Sequence, residues 1–244
     1  MQEKVTDKEI SMTDYMIENL DFLIRAVDKK WDGILLIDGV EGSGKTTFGC
    51  QVCYYEAWKC GSSFTLENVV FTAEQFEHAV ISLPSKSVIL WDEAIFGAWA
   101  TEWATLINRT IVKLMVTIRK KQLFINIIIP WIYMLQPYMA VARTRALLHV
   151  TTPDGISRGY YRFYDYPSKQ MLYFKNKRFY TYFNAKTAFH GYFKSTHGLF
   201  FDEKEYDLKK DTAIKELIQK SEKPKAKDNE IERMATKKDK NEGT

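Results

Sequence analysis

Apolar and polar positions along the chain alternate between two periods. From Thr13 to Lys30 the apolar positions Tyr15, Met16, Leu20, Leu23, Ile24 and Val27 recur at helical spacing, with Thr13 placed to cap the start. Gly33-Ile-Leu-Leu-Ile-Asp-Gly39 then runs apolar between two glycines, as a strand buried on both faces does. A glycine-rich turn leads into a helical stretch from Lys45 to about Trp58. The alternation repeats with a weak strand at 68–72, a helix at 73–82, a strand at 87–92 and a long helical stretch ending near Lys121. A strand at 123–129 stops at Pro130, a helix is expected over 135–145, and a fifth strand over 146–150. Strands alternating with helices predict an α/β fold, a parallel sheet sandwiched by helices.

The texture changes after Pro153. Residues 159–193 are crowded with tyrosine, phenylalanine and basic side chains at close to strand alternation. Asp165-Tyr-Pro-Ser-Lys and Lys175-Asn-Lys read as turns, which predicts a C-terminal aromatic β-hairpin or meander. Beyond about Glu203 charge dominates, with a helix expected over 203–220 and disorder after it. The organisation expected is an N-terminal helix at 1–30, a core at 31–153, an aromatic and basic β appendage at 154–202, and a charged helix and tail at 203–244.

Composition alters this picture little. The formal charge of +4 permits nucleic-acid binding without requiring it. Cys50, Cys53 and Cys60 give an odd count with no repeated spacing, which fits a reducing compartment such as the cytoplasm. Cys50 and Cys53 form a C-x-x-C, but inside an expected helix and without a second ligand pair, so they read as buried helix residues. Residues 1–30 are charged throughout, unlike a secretory signal. Residues 123–142 have the length of a membrane span, but Asn126, Pro130 and Pro137 interrupt them, and no membrane association is expected.

The chemistry concentrates in Gly39-Val40-Glu41-Gly42-Ser43-Gly44-Lys45-Thr46, which matches G-x-x-x-x-G-K-[ST] between a strand and a helix. The glycines let successive backbone N–H groups turn toward phosphate oxygens, and the helix N-terminus adds its dipole. Lys45 is expected on the β- and γ-phosphates, the Thr46 hydroxyl on Mg2+, and Thr47 at the end of the same loop. The nucleotide expected is ATP.

Such a loop needs an acid at the tip of a neighbouring strand. Val-Ile-Leu-Trp91 ends in Asp92 and Glu93, with Asp92 expected to hold the magnesium and Glu93 to polarise an attacking water. The alternative is that both merely cap the following helix. A water-activating glutamate favours hydrolysis over phosphate transfer by a small-molecule kinase. Asn126, the polar member of the fourth strand, is either a γ-phosphate sensor or a buried, hydrogen-bonded amide. Arg119, Arg143 and Arg145 are candidates for an arginine acting on a neighbouring subunit's site, Arg119 also suiting a helix C-terminus.

In this order, the loop, Trp91-Asp92-Glu93-Ala94, Arg119-Lys-Lys before an apolar strand ending in proline, and Arg143-Thr-Arg145 make residues 30–153 resemble RecA-like P-loop ATPases. The closer resemblance is to viral and plasmid relatives of the FtsK–HerA DNA translocases, including Zot-like and packaging-type ATPases. That group commonly carries glutamine at the end of strand four, where this chain has Ile129 and Pro130. The resemblance implies a RecA-like core, a hexameric ring, and ATP hydrolysis coupled to pulling DNA, with a capsid or replication protein as a further partner. Alternatives sharing the core are a replication helicase or helicase loader and a nucleotide-dependent assembly ATPase. The segment around Arg158, Tyr160, Arg162, Lys175, Lys177 and Arg178 offers either aromatics to stack on bases and cations to pair with phosphates, or ordinary packing.

Overall fold

The computed structural model describes residues 10–31, 33–92, 100–194 and 201–222. Its elements in order are α1 (Asp14–Asp28), β1 (Gly33–Gly39), α2 (Lys45–Lys59), β2 (Val69–Val70), α3 (Ala73–Ser82), β3 (Val88–Trp91), α4 (Ala100–Lys121) and β4 (Phe124–Ile129). After a 3-10 turn at Ile132–Met134 and a π-helical segment at Tyr138–Arg143 come β5 (Ala146–Thr151), β6 (Tyr160–Tyr164), α5 (Tyr166–Asn176), β7 (Phe189–Tyr192) and α6 (Glu203–Glu222).

One seven-stranded sheet joins them in the order β2-β3-β4-β1-β5-β6-β7. The first five strands are parallel, and β6 and β7 extend the sheet antiparallel. This is the α/β sandwich expected from the sequence, consistent with a RecA-like core. In space β4 lies between β1, which precedes the phosphate loop, and β3, which leads to Asp92.

The strand period of two sorts side chains onto two cores. Leu35, Ile37, Leu90, Phe124 and Ile128 pack toward α1 and α2. Ile34, Leu36, Ile89, Trp91 and Ile127 pack on the other face, where Phe76 of α3 stacks on Trp91 at 4.4 Å. At about 25 cal/mol per Å², these interdigitated apolar faces supply the main drive for folding.

Two local readings are corrected. The expected helix over 135–145 is only the six-residue π-helical segment Tyr138–Arg143, with Pro137 at its start and Thr144 Oγ1 donating to the Ala140 carbonyl at 2.9 Å at its end; the 3-10 turn at Ile132–Met134 lies before it. The expected turn at Asp165-Tyr-Pro-Ser-Lys instead starts α5. Asp165 accepts from the Ser168 amide at 3.0 Å as an N-cap, and Pro167 sits in the first turn, where its missing amide costs nothing. β6 and β7 are therefore joined through a helix. Among the described residues no helix is long and apolar enough to cross a membrane.

Candidate phosphate-binding site

The carboxyl ends of the parallel strands gather at one edge of the sheet, where open α/β sheets bind ligands. β1 delivers Gly39 there, β3 delivers Asp92, and β4 ends at Ile129, just before Pro130. The loop turns through left-handed backbone at Gly42 (φ 74°) and Gly44 (φ 97°) into the N-terminus of α2. Gly39 is required by crowding as well: a Cβ there would lie 2.3 Å from the Val150 carbonyl oxygen of β5. Phe48 of α2 stacks on Tyr161 and on Phe193, both at 4.5 Å, so the aromatic extension seats the helix that carries the loop.

The loop frames a cleft of ≈ 450 Å³ lined by Lys45, Thr46, Asp92, Arg158 and Lys210 among others. Lys45 Nζ donates to the carbonyls of Gly39 at 2.7 Å and Val40 at 2.9 Å. Thr46 Oγ1 donates to Asp92 Oδ2 at 2.9 Å, bringing together the two residues expected to hold magnesium. The buried Ser43 hydroxyl has no hydrogen-bond partner in the protein, as suits a loop built around a ligand. Among the described residues no group of three or more His, Cys, Asp or Glu could cage a metal. Thr46 and Asp92 alone fit magnesium, which keeps several waters and takes the rest of its shell from phosphate oxygens.

Asp38, the last side chain before the loop, is held from several sides. His149 Nδ1 pairs with its Oδ1 at 2.7 Å, the Ile132 amide donates to Oδ2 at 3.0 Å, and the Tyr182 hydroxyl donates to Oδ2. His149 and Tyr182 stack at 3.7 Å. This buried polar node fixes where β1 exits into the loop.

The remaining candidates separate. Glu93 lies outside the described residues. Asn126 is fully buried in mid-strand on the α2 side, where its Nδ2 donates to Glu56 Oε2 at 2.6 Å and meets Cys53 Sγ at 3.3 Å. It is a buried, hydrogen-bonded amide and does not reach the cleft. Cys50 and Cys53 are buried helix residues, and burial pushes both thiols up.

Arg119, Arg143 and Arg145 precede β4 and β5 and so lie at the sheet edge opposite the loop. Arg119 Nη2 donates to the Lys30 carbonyl at 3.4 Å, Arg143 lies 5.7 Å from the Tyr138 ring centre, and Arg145 lies 4.7 Å from that of Trp31. Within one chain none of the three lines the cleft.

Three contributors went unassigned to this site from sequence. Arg158 carried a signal only as part of the aromatic and basic segment, while Lys210 and Tyr206 of α6 carried none. Tyr206 donates to Asp92 Oδ2 at 2.5 Å. Compared with models of known protein families and with curated proteins, the chain matches none.

Proposed function

We propose that this protein binds ATP with magnesium on residues 39–47 and hydrolyses it, as an oligomeric motor that translocates or packages DNA for a virus or plasmid. The observation that carries the nucleotide reading is the contact of Thr46 with Asp92 across the tips of α2 and β3, beneath a glycine-built loop. Lys45 and the loop amides would neutralise phosphate charge, and magnesium would polarise the transferred phosphoryl group. Glu93 follows Asp92 directly in sequence and is assigned the water. The interposed β4 supports the hydrolytic class that the resemblance implies.

The DNA reading is supported by an exposed aromatic and cationic surface beyond the core. Phe174, Phe179, Tyr180 and Phe183 are exposed beside Lys175 and Arg178, and Trp131, next to the strand edge that carries the loop, lies 5.9 Å from Tyr180. Aromatic faces stack bases and cations follow phosphates, a combination suited to single strands. In a ring, an arginine among Arg119, Arg143 and Arg145 is assigned to the neighbouring subunit's cleft.

Hydrolysis measured with no nucleic acid, with single strands and with duplex, using Lys45→Ala as the blank, tests the whole. Lys45-dependent turnover stimulated by DNA is expected. Lys45-dependent turnover indifferent to both forms of DNA would sink the motor and leave an assembly ATPase.

A further inference from the structure

Helix α6 lies far in sequence from the phosphate-loop motif, yet two of its residues, one turn apart, meet the site: Lys210 lines the cleft and Tyr206 contacts Asp92, which also lines it. Tyr206 is 4% exposed, its ring meeting Phe71 edge-on at 5.5 Å and stacking on Phe201 at 5.8 Å, and its hydroxyl donates to Asp92 Oδ2 at 2.5 Å. Lys209 Nζ donates to the carbonyls of Leu66 and Val69, both at 2.7 Å, which ties the helix to the edge of the sheet at β2. Lys210 follows Tyr206 by four residues, so it shares a face with it, and it lines the cleft beside Lys45, Thr46 and Asp92. With Arg158, the lining sets three cations against Glu41 and Asp92, a balance suited to a magnesium-bound polyphosphate.

We propose that α6 is a working arm of the phosphate site: Lys210 is a phosphate ligand supplied within the same chain, and Tyr206 is a positioning residue that holds Asp92. The inference rests on the nucleotide reading above and deepens it. Thr46 and Tyr206 both donate to Oδ2 of Asp92, so Oδ1 is the oxygen left to accept from a magnesium-bound water. Removing the phenol leaves the carboxylate held by one side chain and free to turn. Lys209 does neither job; it fastens the arm.

Calorimetric binding of ADP and of a non-hydrolysable ATP analogue to the full chain, each with Mg2+ and with EDTA, tests the arm. Lys210→Ala is expected to weaken the triphosphate about tenfold and ADP less than about twofold, as loss of one charge-assisted contact to the terminal phosphate. Tyr206→Phe keeps the ring packing. It is expected to leave the EDTA affinities unchanged while cutting the gain from Mg2+ by about three- to tenfold. Triphosphate binding unchanged by Lys210→Ala, or a Mg2+ gain unchanged by Tyr206→Phe, overturns the corresponding role. Equal losses for both nucleotides with a lowered Tm would make α6 packing alone. A wild-type chain that binds neither nucleotide, or no better than Lys45→Ala, sinks the nucleotide reading itself; intact Lys45 dependence without a Lys210 effect removes only the arm.

Discussion

Glu56→Gln is expected to stabilise the protein at neutral and alkaline pH while changing little at pH 5. Glu56 lies on α2 with no exposed surface, and Asn126 Nδ2 donates to its Oε2 at 2.6 Å. Burial pushes its carboxyl from 4.5 up to about 8, against the smaller opposing effect of that hydrogen bond. The folded value lies above the unfolded one, so between about 4.5 and 8 the folded state holds a proton that the unfolded state has released. Stability therefore falls as pH rises through that window. At pH 7.5 the unfolded carboxyl is three units above its own pKa, which at ~1.36 kcal/mol per unit is a cost on the order of 4 kcal/mol. Glutamine removes the proton from the balance. Its amide can also donate to Asn126 Oδ1, a buried oxygen with no hydrogen-bond partner. Urea titrations followed by circular dichroism at pH 5, 6.5 and 8 read the difference. With m of roughly 2–3 kcal/mol/M, the midpoints should separate by about 1–2 M at pH 8 and nearly coincide at pH 5. Wild type and variant changing in parallel across the range would refute a neutral buried carboxyl.

Lys169 carries the opposite sign. It is fully buried, donates to the Val141 carbonyl at 3.1 Å and the Thr144 carbonyl at 2.5 Å, and is lowered to about 7 by burial and then by the charge of Arg145. Its folded value lies below the unfolded one, so its contribution to stability grows as pH rises from about 7 toward 10.5. Lys169→Met leaves those carbonyls without a donor, a loss of about 2–3 kcal/mol, but it also removes the cost of giving up the lysine proton, which is largest near neutrality; the melting temperature of wild type should therefore rise relative to the variant's from pH 7 to pH 9. Gly39→Ala should destabilise by more than about 3 kcal/mol, because the Val150 carbonyl that its Cβ would meet is backbone and cannot rotate away; a thermal melt within a degree of wild type would contradict this. Asp92→Asn should weaken nucleotide binding about tenfold with Mg2+ and leave binding in EDTA unchanged, as read by calorimetry.

Much of the sheet was legible because burial on both faces leaves a plain trace. Gly33–Gly39 and Phe124–Ile129 are nearly unbroken apolar runs, and each became a buried strand. The backbone path of the loop after β1 was legible because it demands glycine, as the positive φ at Gly42 and Gly44 shows. The start of α5 was misread because proline and aspartate serve turns and helix N-termini alike, and only the Ser168 amide on Asp165 decides between them. The fate of Asn126 turned on which face of β4 it occupies, settled by the register that sets it beside Leu35 and Leu90 and points it at Glu56. Tyr206 and Lys210 were illegible for a different reason: charged and aromatic residues at helical spacing fit any solvated helix, and their meaning comes from Asp92, 114 residues before Tyr206, and from the cleft that Lys210 lines.

That separation has a kinetic consequence. β1 pairs with β4 and β5, both made much later, while Thr13 meets Tyr161, Asp38 meets Tyr182 and Asp92 meets Tyr206 across 148, 144 and 114 residues. At roughly 5–20 residues per second, the ribosome needs on the order of ten to thirty seconds between Thr46 and Tyr206. Such high contact order makes folding slow and late. Through that interval the glycine-rich loop exists as sequence without its supports, so the cleft it frames takes shape only once nearly the whole chain has emerged. A nascent fragment carrying the motif alone is idle, and the loop written first is the part built last.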